Sequence, residues 1–130
     1  MPRLRLIGAT GASAPPRGHY SHAVVAGRFV FVSGQLPIRP DGSIDPSLSF
    51  GEQSRLALAN LEAALTAAGA RLTDVAKVTV YVTSVEHWAE FNAAYAERFG
   101  DHRPARAVVP VGPLHYGLAV ELDAVAYIGR

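Results

Sequence analysis

The sequence predicts an α+β fold, a mixed six-stranded sheet with two helices on one face, and three observations predict it. Two segments repeat apolar residues at helical spacing. Six others alternate at period two or are rich in β-branched and aromatic residues. The two kinds follow one another in the order β-β-β-α-β-α-β-β. With 130 residues, 49% of them hydrophobic and 18% charged, the chain can enclose one core and is expected to form a single domain over residues 1–130.

Leu4 and Leu6 alternate with Arg3 and Arg5, the pattern of a half-buried strand. Residues 8–18 are rich in Gly, Ala, Ser and Pro and predict a loop. Residues 21–26 and 29–35 are two β-rich runs parted by Gly27-Arg28, the composition of a tight hairpin. Residues 37–48, punctuated by Pro, Asp-Gly and Asp-Pro, predict a surface loop.

Ser49-Phe50-Gly51-Glu52 has the form of a capping box, after which Leu58, Leu61, Leu65 and Ala68 recur at helical spacing until Gly69. Val78, Val80 and Val82 alternate with Thr79, Tyr81 and Thr83, a period-two strand. Ser84 can cap a second helix with Trp88, Phe91, Asn92, Tyr95 and Phe99 on one stripe, stopped by Gly100. Residues 105–111 and 118–128 are the last two strands, and a symmetric hairpin closed by residues 112–117 would join them.

The last strand is apolar on both faces: Leu118, Val120, Leu122, Ala124 and Ala126 point one way, while Ala119, Val125 and Tyr127 accompany two acids on the other. Two helices cover only one face of such a sheet. The second face therefore requires a partner surface, and a homo-oligomer supplies one most simply.

Composition removes several classes of function. There is no cysteine, hence no disulfide framework, thiolate nucleophile or sulfur-ligated metal. No apolar run near the start is long enough for a signal peptide or a membrane span, and cytoplasmic residence is expected. Net charge is +1 with acids and bases interspersed, so the basic stripe and stacking aromatics of a nucleic-acid surface are missing.

Gly8-Ala-Thr-Gly11-Ala-Ser13 after a strand imitates a nucleotide fingerprint, but Pro15 and Pro16 forbid the helix whose N-terminus would bind the phosphates. His19 and His22 point to opposite faces of an extended segment, and His87, His102 and His115 have no ligand spacing. No metal is expected, and these histidines read as partly exposed polar groups. Ser33-Gly34-Gln35 lacks the strand-elbow-helix setting of a serine nucleophile.

Glu121 and Asp123 are different, because they lie two apart inside the most apolar strand and so share one face. A symmetric hairpin would set Arg106 opposite Asp123 and Val108 opposite Glu121. Two readings then stand side by side. In one, Arg106 and Asp123 form a neutralising ion pair. In the other, Arg106 offers its fork to a substrate carboxylate while Glu121 orients or deprotonates a water. Asn92, an amide in an aromatic stripe, either caps a neighbour or reaches into a site.

The runs Tyr20-Ser-His-Ala-Val24, Phe31-Val-Ser-Gly-Gln-Leu-Pro37, Asn60-Leu-Glu-Ala-Ala-Leu-Thr-Ala-Ala-Gly69, Val75-Ala-Lys-Val-Thr-Val-Tyr-Val82, Phe91-Asn-Ala-Ala-Tyr95, Pro104-Ala-Arg-Ala107 and Val120-Glu-Leu-Asp-Ala-Val-Ala126 together resemble the RidA/YjgF family, from about Gly18 to the C-terminus. The resemblance implies a chorismate-mutase-like fold and a homotrimer with clefts between subunits. It implies hydrolysis of reactive enamines or imines, such as 2-iminobutanoate and 2-iminopropanoate, to 2-oxo acids and ammonia.

By that resemblance Arg106 clamps the carboxylate of a small metabolite and Glu121 stands near the attacking water. Tyr20, Ser33, Gly34 and Asn92 line or support the cleft, and the backbone amide of Val108 can bind the same carboxylate. No cofactor is implied. Many deaminating members read Arg-Ser-Cys-Val-Glu-Val where this chain reads Arg106-Ala-Val-Val-Pro-Val111, and Leu-Pro-Lys-Asp where it reads Leu114-His-Tyr-Gly117. A non-catalytic binder of small carboxylates and an endoribonuclease are the alternatives.

Overall fold

A computed structural model describes residues 3–129. Its strands are β1 (Arg5–Ile7), β2 (Ala23–Ala26), β3 (Phe29–Gln35), β4 (Val75–Val82), β5 (Ala105–Pro110) and β6 (Val120–Tyr127), and its helices are α1 (Phe50–Ala67) and α2 (Trp88–Phe99). They form one six-stranded sheet in the order β1-β2-β3-β6-β4-β5, antiparallel except for the β4–β5 pair. The predicted element order and the mixed sheet are observed.

The helices form where the sequence places them, and their ends are capped. Ser49 accepts the amide of Glu52 at 3.1 Å, and the carboxylate of Glu90 on α2 accepts the amide of Gly51 at 2.6 Å. Both donors belong to the first turn of α1, where amides lack intrahelical partners and a negative charge is favourable. Leu58, Leu61, Leu65 and Ala68 are fully buried, and Gly69 at φ +85° ends the element. Ser84 caps a short 3-10 turn at 85–87 by accepting the amide of Glu86, and α2 itself begins at Trp88.

Both helices pack on the sheet face that carries Val30, Val32, Val78, Val80, Leu122 and Ala124, all buried. Each such valine or leucine withdrawn from water contributes about 1.5–3 kcal/mol, so this face holds the core. Leu6, Val24, Phe31 and Val125 lie in one register row on the opposite face. There Leu6 is 64% and Phe31 48% exposed, and the ring of Phe29 meets that of Tyr127 at 5.2 Å. Contiguous apolar exposure of this kind marks a contact surface. In the first strand the expectation is reversed: Leu4 and Leu6 face outward, and Ile7 is the buried residue.

The hairpin expected between the last two strands does not form. β5 runs parallel beside β4 at the edge of the sheet, and β6 lies between β3 and β4. The physical reason is the β4–α2–β5 unit, since a helical crossover returns the chain parallel to the strand it left. Strand β6 then takes the central position that its two apolar faces suit.

Candidate functional site

Because Val78 pairs with Arg106 on one side and Ala124 on the other, Arg106 stands on the helix face of the sheet. Tyr81 pairs with Glu121 and Thr79 with Asp123, which puts both acids on the open face. The ion pair between Arg106 and Asp123 is thereby excluded. Asp123 instead accepts a hydrogen bond from the Tyr81 hydroxyl at 3.1 Å.

The first group of side chains gathers around Glu121. Strand β3 breaks register between Val32 and Gln35, and Ser33 and Gly34 fill that irregularity. Gly34 packs directly on the acid: a β-carbon there would lie 2.7 Å from Oε2 of Glu121. The Ser33 hydroxyl donates to the Ser21 carbonyl at 2.6 Å, which occupies the would-be nucleophile. Tyr20, Ser33, Gly34 and Glu121 border one cleft of about 480 Å³. Burial holds the Glu121 carboxyl above its usual range; His115 works against this and Asp123 adds to it.

Beneath the cleft lies a satisfied polar layer. His22 is buried rather than partly exposed, because its Nε2 donates to the Ala14 carbonyl at 2.7 Å while Nδ1 accepts from the Gln35 amide at 3.3 Å. Gln35 also donates to the Ser33 carbonyl at 3.1 Å. Asn60 of α1 donates to the carbonyls of Leu36 and Ile38, each at 2.9 Å, and so fixes the exit of β3. Among the described residues no cluster of metal-binding side chains occurs.

The second group gathers around Arg106. Its Cζ stands 4.8 Å from the Trp88 ring centre, 4.7 Å from Tyr95 and 5.9 Å from Phe91, and Nη1 donates to Oδ1 of Asn92 at 3.1 Å. Aromatic faces and a neutral amide orient a guanidinium without discharging it. Among the described residues no salt bridge reaches Arg106.

Hollows of about 500 Å³ and about 240 Å³ flank this cage, the first bordered by Asn92, Tyr95 and Arg106, the second by Trp88, Phe91 and Val108. Among the described residues the buried Tyr95 hydroxyl has no hydrogen-bond partner, and burial pushes it up to about 12, the Arg106 charge opposing. It remains a neutral phenol at ordinary pH.

The seven residues singled out from the sequence thus fall into two sets, Tyr20, Ser33, Gly34 and Glu121 on one side, Arg106, Asn92 and Val108 on the other. A single copy of the chain does not unite them. Trp88 and Tyr95 lie on a stripe that reads as core, yet their rings frame the cation. Arg17, His115 and Tyr116 also border the Glu121 cleft and carry no sequence signal for it.

A mixed sheet of this order with both helices on one face defines the chorismate-mutase-like α+β class. Within that class the chain belongs to the endoribonuclease L-PSP family, the RidA/YjgF proteins, whose family model matches residues 11–128. It is 43% identical over 112 residues to a RutC family protein of Pyrococcus horikoshii, covering 86% of this chain and 89% of that one.

It is also 35% identical to TdcF of Escherichia coli, provisionally named a reactive intermediate deaminase, over 84% of this chain and 86% of TdcF. The solved structure of TdcF with bound serine superposes at a TM-score of 0.87, covering 95% of this chain and 98% of that one at 33% identity. RidA of an Antarctic Psychrobacter superposes at 0.88, covering 95% and 99% at 34% identity.

Proposed function

We propose that the chain hydrolyses reactive enamine and imine intermediates to 2-oxo acids and ammonia, in clefts where one copy presents Arg106 and a neighbour presents Glu121. The observation that carries this reading is the Arg106 guanidinium, oriented by Trp88, Tyr95 and Asn92 and, among the described residues, in no salt bridge. Such a fork binds a planar carboxylate bidentately. The apolar open face of the sheet supports assembly of copies, and a homotrimer is the arrangement we propose.

With the substrate carboxylate on Arg106 and the backbone amide of Val108, the imine carbon would face Glu121. That carboxylate takes a proton from water as the water oxygen bonds to carbon. It returns that proton to nitrogen to give the carbinolamine, then carries the hydroxyl proton to the same nitrogen as the C=O bond forms and the C–N bond breaks, leaving a 2-oxo acid and ammonia. Its raised proton affinity suits both transfers, and general acid–base assistance of this kind is worth about 10²–10⁴ in rate. Tyr20, Ser33 and Gly34 wall the cleft and keep the carboxylate in place.

The kinship with TdcF, whose solved structure holds serine, supports a small carboxylate-bearing ligand. Ammonia release from the imine of 2-aminoacrylate tests the reading: Arg106→Ala should abolish it and leave the melting midpoint unchanged. Release at the parental rate would refute it. Val108, an aliphatic side chain where many deaminating relatives carry cysteine, favours a second reading, a binder of small carboxylates without turnover. Titration with 2-oxobutanoate beside the same assay separates the two, since binding without ammonia supports the binder.

A further inference from the structure

The cleft that holds Glu121 contains a cation that the proposed hydrolysis does not use. Arg17 lies in the loop between β1 and β2, where an Nη donates to the Gly42 carbonyl and Cζ stands 5.4 Å from the centre of the Tyr116 ring. A carbonyl and a π face steady a guanidinium but leave its charge and most of its donors free. Among the described residues no salt bridge reaches Arg17.

The support beneath it is built rather than incidental. Tyr116 has φ +62°, the one non-glycine residue at positive φ among those described, a conformation unfavourable for a bulky side chain. Strain of this kind persists only where the surroundings hold it, and it clusters at ligand sites. Here it accompanies a ring turned beneath Arg17. Gly42, the carbonyl anchor, is itself held in a turn, its N–H donating a hydrogen bond to the Arg39 carbonyl at 2.8 Å. Three separate loops therefore meet to position one guanidinium.

In one copy, before the neighbour that presents Arg106 closes over it, the cleft measures about 480 Å³ and is bordered by both Glu121 and Arg17. A longer substrate extending past Glu121 needs a distal group that a free cation can hold. The planar fork of arginine matches a carboxylate.

We propose that Arg17 is a specificity residue that recognises a second, distal carboxylate, so that the chain favours the imines of dicarboxylic 2-amino acids over those of monocarboxylic ones. For turnover this rests on the hydrolytic reading above; for ligand preference it does not.

Calorimetric titration of the full chain with 2-oxopentanedioate and with 2-oxohexanoate separates charge from length. The dicarboxylate should bind about tenfold tighter. Arg17→Met should erase that advantage while 2-oxohexanoate binding stays within about twofold, and Arg17→Lys should restore part of it. Equal affinity of the parent chain for the two acids, including none measurable for either, overturns the inference, as does a preference that survives Arg17→Met.

Ammonia release from the corresponding imines, generated in place by an amino-acid oxidase, keeps the two ideas apart. Release without dicarboxylate preference overturns the role of Arg17 and leaves hydrolysis standing. Preference without release supports the role of Arg17 and removes hydrolysis.

Discussion

Gly34 and Glu121 are in contact: a β-carbon on Gly34 would lie 2.7 Å from Oε2 and 3.1 Å from Cδ of Glu121. The atoms that would have to yield are the free end of a flexible side chain, so the consequence falls on the position of the carboxylate rather than on the backbone. Gly34→Ala should shift stability by less than about 1 kcal/mol. It should slow ammonia release by about 10- to 100-fold through misplacement of the acid. Thermal melts and the imine assay check the two halves, and an undiminished rate would count against a working carboxylate at this spot.

Burial holds the Glu121 carboxyl above its ordinary range, so the folded chain favours its protonated form. The associated stability is present below the unfolded carboxylate range, about 4.3, and is lost as pH rises through the raised folded value. Glu121→Gln keeps the neutral shape. At neutral pH the variant should therefore melt no lower than the parent, and any advantage should shrink as pH falls through the raised folded value and be gone below about 4. Its imine hydrolysis should fall by about 10²–10⁴. Melting curves across pH together with single-point rates test both, and a variant less stable only at neutral pH would mean that the folded chain favours the ionised carboxylate.

The cage around Arg106 should act on affinity. Trp88→Ala and Asn92→Ala each remove one element that orients the guanidinium, a cation–π face or an amide acceptor worth about 0.5–1 kcal/mol at a partly exposed position. Each should raise KM about two- to fivefold with kcat little changed. Steady-state kinetics read this split. A fall in kcat at constant KM would instead place these residues in the chemical step.

Asn60 should matter for stability. Its amide donates to the carbonyls of both Leu36 and Ile38 from a buried position, so Asn60→Ala strands two acceptors at once. A loss of about 2–3 kcal/mol is expected, read by denaturant unfolding. A change under about 0.5 kcal/mol would mean that water replaces the amide there.

The helices and the faces of the longer strands are legible in the sequence because their signals are local, whereas the three-residue β1 is too short to show which face it buries. Ser49, the spaced leucines and Gly69 bound α1 without reference to the rest of the chain. Strand order is not local. Residues 112–117 have a length that suits a hairpin, yet the strands on either side of them are separated by β4. Two signals point the other way: the twelve residues of α2 between β4 and β5 make a parallel crossover, and Pro110 suits an edge strand because it has no amide to donate.

The candidate site divides along the same line. Glu121 is visible as an acid in an apolar strand, and Gly34 and Asn92 through the family resemblance. The pairing of Arg17 with Tyr116 joins loops far apart in the chain and leaves no periodic trace. Trp88 and Tyr95 take part in an ordinary core stripe, which conceals their second role around Arg106.

Arg106 and Glu121 must meet across copies to act together, since within one chain they occupy opposite faces of the sheet. Co-assembly of Arg106→Ala chains with Glu121→Gln chains tests this most directly, because each population lacks a different half of the site. Random mixing would leave about one cleft in four with both native groups, so ammonia release should return to about a quarter of the parental rate. A mixture no more active than its two components would contradict the shared cleft.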